Sequence, residues 1–259
     1  MSSGDDADEA ARLDAALDRA VTAGRYSTFL RAAGQDPRLA RRLYVWDRDL
    51  ATAVMADIAV VEVGLRNAMH RALSRTHTAR WYETLDLDAR CERQITTAWA
   101  SAKKSGALHP ADQQAPDRLV AGCSFGLWVN LLDTGGTVGV EPRARKIDYE
   151  TLWRTTLHTA FPGGRSEAGA RGRQFTRSWT HGVAKNVNVL RNRVAHHEPV
   201  HAGYPLPGQR DAGTGRPRRM TVVDGRGQYL TLARMIDRDL ADWITAHSSV
   251  HTLLQARPG

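Results

Sequence analysis

The sequence predicts an all-α fold: a helical bundle with additional helices and long basic loops. Three observations predict it. Apolar residues recur at three- and four-residue steps over long stretches, as at Leu50, Val54, Ile58, Val61, Leu65, Met69 and Leu73, the period of a helix with one buried face. The apolar fraction of 42% is enough to bury such faces against one another. Gly and Pro gather in a few loops, and a single segment near the C-terminus has the pattern of a short β-hairpin.

Residues 1–10 hold four acids and no base and read as a flexible acidic tail, leaving 11–259 as one domain. A helix is expected from about Glu9 to Ala23. Asp36 and Pro37 supply a cap and a first turn for a helix over 36–50, which leads into a long helical pattern over 48–76. Further helices are expected over 86–104 and, after a loop from Gly106 to Pro116, over the apolar run 117–133. Gly- and Pro-rich loops at 134–146 and 162–173 bracket a short helix around 148–160. The stretch 179–201 reads as one helix that ends at Glu198 or a residue earlier, because Pro199 cannot donate to the helix ladder. Residues 202–219 form the longest irregular segment, a basic loop. In 220–232, two β-branched or apolar runs flank an Asp-Gly turn and predict the hairpin. Helices over 232–247 and 249–255 close the chain.

Lys and Arg outnumber Asp and Glu by 36 to 28, giving a net charge of +8 and a pI near 10.0. That balance favours a polyanionic partner, nucleic acid before a membrane surface. Two cysteines, Cys91 and Cys123, without a CxxC pair, give no disulfide framework and no thiolate zinc site, and suit a reducing compartment. The opening MSSGDDADEA has no cationic stretch followed by an apolar run, and no apolar run approaches the ~18 residues of a membrane span. The expected location is cytoplasmic, away from the membrane.

The chemistry concentrates in 190–201, LRNRVAHHEPVH, where three histidines, a glutamate and two arginines fall together. At about 100° per residue, Val183, Val187, Leu190 and Val194 share an arc roughly 60° wide, a buried stripe. Arg191, Ala195, Asn192 and His196 follow one another over another arc, roughly 140° wide. Lys185 and Asn188 join them from the preceding turns. A cation, a carboxamide and an imidazole sharing one face suit phosphodiester cleavage of RNA. An imidazole handles a proton near the ribose 2′-hydroxyl, and a guanidinium fork faces the charge of the phosphorane-like transition state. The nucleophile belongs to the substrate, so no cofactor or metal is called for. The competing reading of the same spacing is an exposed helix end with a histidine near the negative dipole.

HEPVH, 197–201, matches the zinc-protease pattern HExxH, but Pro199 interrupts the helix that would align its two histidines. A looser zinc site through His197 and His201, serving a zinc hydrolase, stays an alternative. On the long helix, Glu62, Arg66 and His70 stand at four-residue steps, so Glu62 and Arg66 can pair along one face, as a plain salt bridge or as support for an active-site arginine. Tyr44, Trp46, Phe125 and Trp128 lie in apolar helical contexts and read as core.

Four strings, RLYVWDRDL (42–50), VEVGLRNAMHRAL (61–73), SFGLWVNLL (124–132) and LRNRVAHHEP (190–199), together resemble the Abi-like (AbiD/AbiF-type) abortive-infection proteins of the HEPN superfamily. The last is the most specific, since it looks like the HEPN Arg-x4-His signature. The resemblance implies an all-α HEPN-like bundle, often a homodimer whose two Arg-His pairs line a shared active-site cleft. It further implies a metal-independent endoribonuclease in phage defence or toxin–antitoxin growth arrest, with Arg191 and His196 catalytic and Asn192 positioning. It is also similar to the HEPN domains of RNA-guided CRISPR effectors, which points to an antitoxin or structured RNA as a partner. His197, Glu62, Arg66 and Asn67 complete the set of accessory candidates. Lys185, Asn188 and Arg193, with Arg171, Arg173, Arg216, Arg218 and Arg219 in the basic loops, are the candidate RNA contacts. A non-catalytic HEPN module that binds RNA or protein is the alternative function.

Overall fold

The computed structural model describes residues 3–106 and 114–259. Most of the loop expected over 106–116 therefore lies outside the described residues. The fold is all-α, as the periodicity predicts, and carries two small antiparallel hairpins where the sequence led to one, near the C-terminus. The chain divides into two compact units, Met1–Thr52 with Ser249–Gly259 and Ala53–Ser248, where the sequence reading takes 11–259 as one domain.

The first unit contains α1 (Ser3–Ala20), α2 (Ala23–Ala32), the opening turns of α3 (Pro37–Thr76) and, from the end of the chain, a short helix Val250–Gln255. α1 starts at Ser3 and so takes in most of the segment read as a tail. The patterns at 36–50 and 48–76 join into the single helix α3, since no proline follows Pro37 and the one glycine, Gly64, is carried within the helix, where a Cβ would come within 2.9 Å of a Leu240 methyl. Phe29 and Tyr44 meet edge to face at 5.3 Å, and the Trp46 indole donates to the Leu253 carbonyl at 2.6 Å.

The second unit begins within α3, whose residues Val54, Ile58, Val61, Leu65, Met69 and Leu73 are fully buried. Next come α4 (Trp81–Thr84) and α5 (Ala89–Lys104), the latter capped by the Asp88 carboxylate accepting from the Arg90 and Cys91 amides. The run 117–133, expected as one helix, breaks into α6 (Ala115–Gly122) and α7 (Phe125–Leu131). Cys123 and Ser124 are extended there (ψ 137° and 158°), directly after Gly122 closes α6; glycine and serine both favour helix ends over interiors. Cys91 and Cys123 are both buried, and burial pushes their thiols up to about 12 and about 11. A small hairpin, β1 (Thr137–Val138) with β2 (Arg145–Lys146), occupies the first Gly-rich loop. α8 (Tyr149–Thr155), a 3-10 turn (Leu157–Ala160) and α9 (Gly164–Gly169) lead to α10 (Arg177–Ala195).

Two sequence expectations are corrected in the C-terminal part. The segment 202–219, read as irregular, carries the longer hairpin, β3 (Tyr204–Arg210) with β4 (Pro217–Met220), paired Tyr204 to Met220 and Pro205 to Arg219. The segment 220–232, read as a hairpin, is instead the start of α11 (Val222–Ile236). The reason is a capping box: the Thr221 hydroxyl accepts the Asp224 amide at 3.0 Å, and the Asp224 carboxylate accepts the Thr221 amide. Asp224-Gly225 therefore serves the first helical turn and makes no strand connection. Gly225 is needed for packing, since a Cβ there would come within 2.6 Å of the Tyr204 hydroxyl and 2.7 Å of a Leu190 methyl. α12 (Arg238–His247) packs on α11, and the C-terminal helix Val250–Gln255 is α13.

α10 is held by α11, α7 and β3. Its stripe of Val183, Val187, Leu190 and Val194 is buried as its period predicts, each side chain contributing about 1.5–3 kcal/mol by removal from water. No helix among the described residues is long and apolar enough to cross a membrane.

Candidate functional site at the end of α10

α10 ends earlier than Pro199 alone requires. Its last helical residue is Ala195, His196 is the C-cap, and His197 adopts the left-handed conformation with φ +56°. The His197 amide donates to the Val194 carbonyl at 3.1 Å and the Glu198 amide to the Arg193 carbonyl at 2.9 Å. This is a Schellman ending with histidine in the place usually taken by glycine. It corrects the expectation of a helix reaching Glu198, and it takes HEPVH off the helix altogether. The two imidazoles of that string do not share a helix face, and His201 is buried. Among the described residues no three His, Cys, Asp or Glu side chains are grouped to hold a metal ion.

Arg191 lies in the last full turn of α10 with its side chain 34% exposed. Its Nε stands 3.4 Å from Oε2 of Glu62 on α3. Glu62 is thus spent across the interface on Arg191, where the sequence allowed a bond along its own helix to Arg66. Arg66 donates to the Ala121 carbonyl at 3.1 Å. The Glu62 contact leaves the terminal guanidinium nitrogens, whose fork matches phosphate oxygens. Asn192, His196 and His197 are exposed at the same end of α10, and Asn67 on α3 is exposed as well.

The remaining candidate cations divide by their partners. Arg193 is ion-paired with Glu198. Arg171 bonds Glu167 and the Thr231 hydroxyl, both at 2.8 Å, and Arg219 donates to the Ala202 and Gly203 carbonyls of its own hairpin. These three are engaged within the fold. Lys185, Arg173, Arg216 and Arg218 are exposed, while Asn188 is half-buried.

Sequence reasoning missed a charged cluster at the other end of α10. Arg177, 7% exposed, donates to Glu150 at 2.7 Å and to the Leu132 carbonyl at 2.8 Å. Asp133 faces His181 at 4.0 Å and Arg90 at 3.1 Å, and Arg90 also bonds the buried Asp88 at 2.8 Å. Burial alone pushes the Asp88 carboxyl up, but the Cys91 amide and Arg90 outweigh it and hold it below the usual range. Burial depresses His181 against the pull of Asp133. Acids and bases balance here, and the cluster anchors the helix. The signal in the sequence was weak, because these partners are far apart along the chain.

His70 is also structural. The Trp81 indole N–H donates to its Nδ1 at 3.0 Å, while Nε2 faces Ser74 and Asp117, each at 3.5 Å. Burial, together with the charge of Arg71, depresses His70 against the pull of Asp117. An unfolded histidine takes up a proton near pH 6.5 and the folded ring resists it. The neutral ring therefore stabilises the fold above that pH, and the contribution is lost as pH falls through the lower folded value. The urea unfolding midpoint is expected to drop between pH 7 and pH 5, with a shallower slope in His70→Gln. An unchanged slope in that variant would assign the whole effect elsewhere, His181 first.

Comparison with protein-family models, with curated proteins and with solved structures finds no match to this chain.

Proposed function

We propose that the chain is a metal-independent endoribonuclease of HEPN type, acting in phage defence or toxin–antitoxin growth arrest. The observation that carries the reading is the end of α10. There Glu62 holds a partly open arginine, and an exposed histidine occupies the C-cap of the same helix. Such a pair suits in-line attack by a ribose 2′-hydroxyl on the adjacent phosphorus. The 2′-oxygen–phosphorus bond forms and the bond to the 5′-oxygen breaks, leaving a 2′,3′-cyclic phosphate and a 5′-hydroxyl. His196 serves one of the two proton transfers, from the attacking hydroxyl or to the leaving oxygen, and Arg191 stabilises charge on the phosphorane. Asn192 positions the phosphate, and Lys185, Arg173, Arg216 and Arg218 guide the strand. The reading includes a homodimer with a shared cleft, and an antitoxin or structured RNA as partner.

The test is to map RNA ends after incubation with the purified chain in the presence of a chelator. Cyclic-phosphate ends are expected with the parent protein and not with His196→Ala. Equal ends with both, or activity that the chelator removes, sinks the proposal. RNA bound in a salt-sensitive manner but left uncut would reduce it to a non-catalytic binding module.

A further inference from the structure

A groove of about 520 Å³ runs along the N-terminal half of α10, away from the Arg-His pair. Its lining includes Arg173, Gln174, Trp179, Gly182, Asn186 and Gln228. Trp179, Gly182 and Asn186 share one face of α10, at steps of three and four residues. The Thr176 hydroxyl caps the helix by accepting the Trp179 amide at 3.2 Å, which sets the Trp179 backbone in the first turn. Asn186 donates to the Gln228 carbonyl oxygen at 3.4 Å. That bond uses one N–H of one amide and one lone pair of the other, so the two carboxamides keep further donors and acceptors. Gly182 leaves the wall open, for a Cβ there would meet nothing within 4 Å.

We propose that this groove is a nucleobase pocket for single-stranded RNA, one base lying against Trp179 and its phosphate at Arg173. The inference rests on the ribonuclease reading for its choice of RNA. The chemistry of the lining selects the occupant. An indole offers a stacking face to any base. Carboxamides with donors and acceptors together match the edges of bases, which carry both. An exposed arginine beside the positive end of a 19-residue helix favours the attached anion. The volume falls in the range of sites for small ligands, ~300–1,000 Å³. Trp179 stands 12 residues before Arg191 on α10, roughly 18 Å along the axis, so the pocket would give the enzyme a preference among bases at a nucleotide a few positions along the strand from the cleaved bond.

Binding of short labelled homopolymers of A, C, G or U, read by fluorescence anisotropy, tests this. The parent for these measurements is His196→Ala, which leaves the RNA uncut. Unequal affinities for the four bases are expected. Gly182→Leu, which fills the groove, and Trp179→Ala are each expected to weaken the preferred strand about tenfold and to level the differences. Trp179→Phe should recover most of the loss. Gly182→Leu should unfold at or above the temperature of its parent, since glycine is a poor helix former, and it decides the matter if Trp179→Ala folds poorly. Unchanged affinity and base preference in Gly182→Leu overturns the pocket. So does failure of the parent to bind any homopolymer at low salt, or binding that polyglutamate competes away equally in parent and variant. The two proposals can fail separately. RNA cut with one base preference by the native chain and by Gly182→Leu removes the pocket and leaves the ribonuclease. Uncut RNA whose binding nonetheless depends on Gly182 and Trp179 does the reverse.

Discussion

Arg191→Ala is expected to slow RNA cleavage by about 10²–10³-fold, the loss that follows removal of one donor aimed at developing charge. Glu62→Ala should cost about tenfold under the proposed reading, in which its carboxylate acts through the guanidinium that it touches. The informative measurement is the pair together. If Glu62 acts through Arg191, the double variant is no slower than Arg191→Ala alone. Glu62→Gln, which keeps a neutral acceptor in place, should fall between the parent and Glu62→Ala. Both side chains are partly exposed, at 34% and 20%, so the ion pair itself contributes only about 0–1 kcal/mol to stability. Thermal unfolding should therefore barely move while the rate changes. Additive losses in the double variant would show that Glu62 has a separate role, and a large fall in unfolding temperature would show that the pair is structural.

Asp57→Ala is expected to destabilise the second unit by about 3–5 kcal/mol. Asp57 lies on α3 with 8% exposure and accepts from the Tyr229 hydroxyl at 2.6 Å and the Ser248 hydroxyl at 2.7 Å. It thereby ties α3 to α11 and to the residue that caps α12. Removing the carboxylate strands the buried Tyr229 O–H and forfeits two charge-assisted bonds at once. Asp57→Asn keeps the volume and one acceptor oxygen, and about half the loss is expected. Differential scanning calorimetry checks both, with a fall of roughly 10 °C for the alanine variant. A change of less than about 1 kcal/mol in Asp57→Ala would mean that water replaces the carboxylate at little cost.

The helices were legible because their apolar period is local. Val54 to Leu73 announces a buried stripe whatever lies opposite, and the same holds for Val183 to Val194 on α10. The misreadings occurred where two local signals competed. At 220–232 a hairpin turn and a helix cap were written in the same residues, and the cap prevailed because Thr221 and Asp224 satisfy each other's amides, while Gly225 fits against Tyr204 and Leu190. At 122–124 a run of apolar residues concealed a break between two helices, with the second restarting after an extended Ser124. In the candidate site, the presence of Arg191 and His196 on one helix could be read directly. The partner of Arg191 could be named but not chosen, since Glu62 had a suitable neighbour on its own helix and found its ion pair on another. The groove at Trp179 was hidden for the same reason: Gln228 belongs to α11, and only folding brings it to Asn186.

The two sulfhydryls sit where solvent does not reach, with ionisation displaced far toward alkali. Nucleophilicity resides in the thiolate, so at neutral pH the native chain offers almost none. Alkylating agents, peroxides and soft metals must wait for α5 or α6 to loosen before they find a target. How fast either sulfur reacts is then set by how often its own helix opens, and each covalent capture of Cys91 or Cys123 is a record of one such opening.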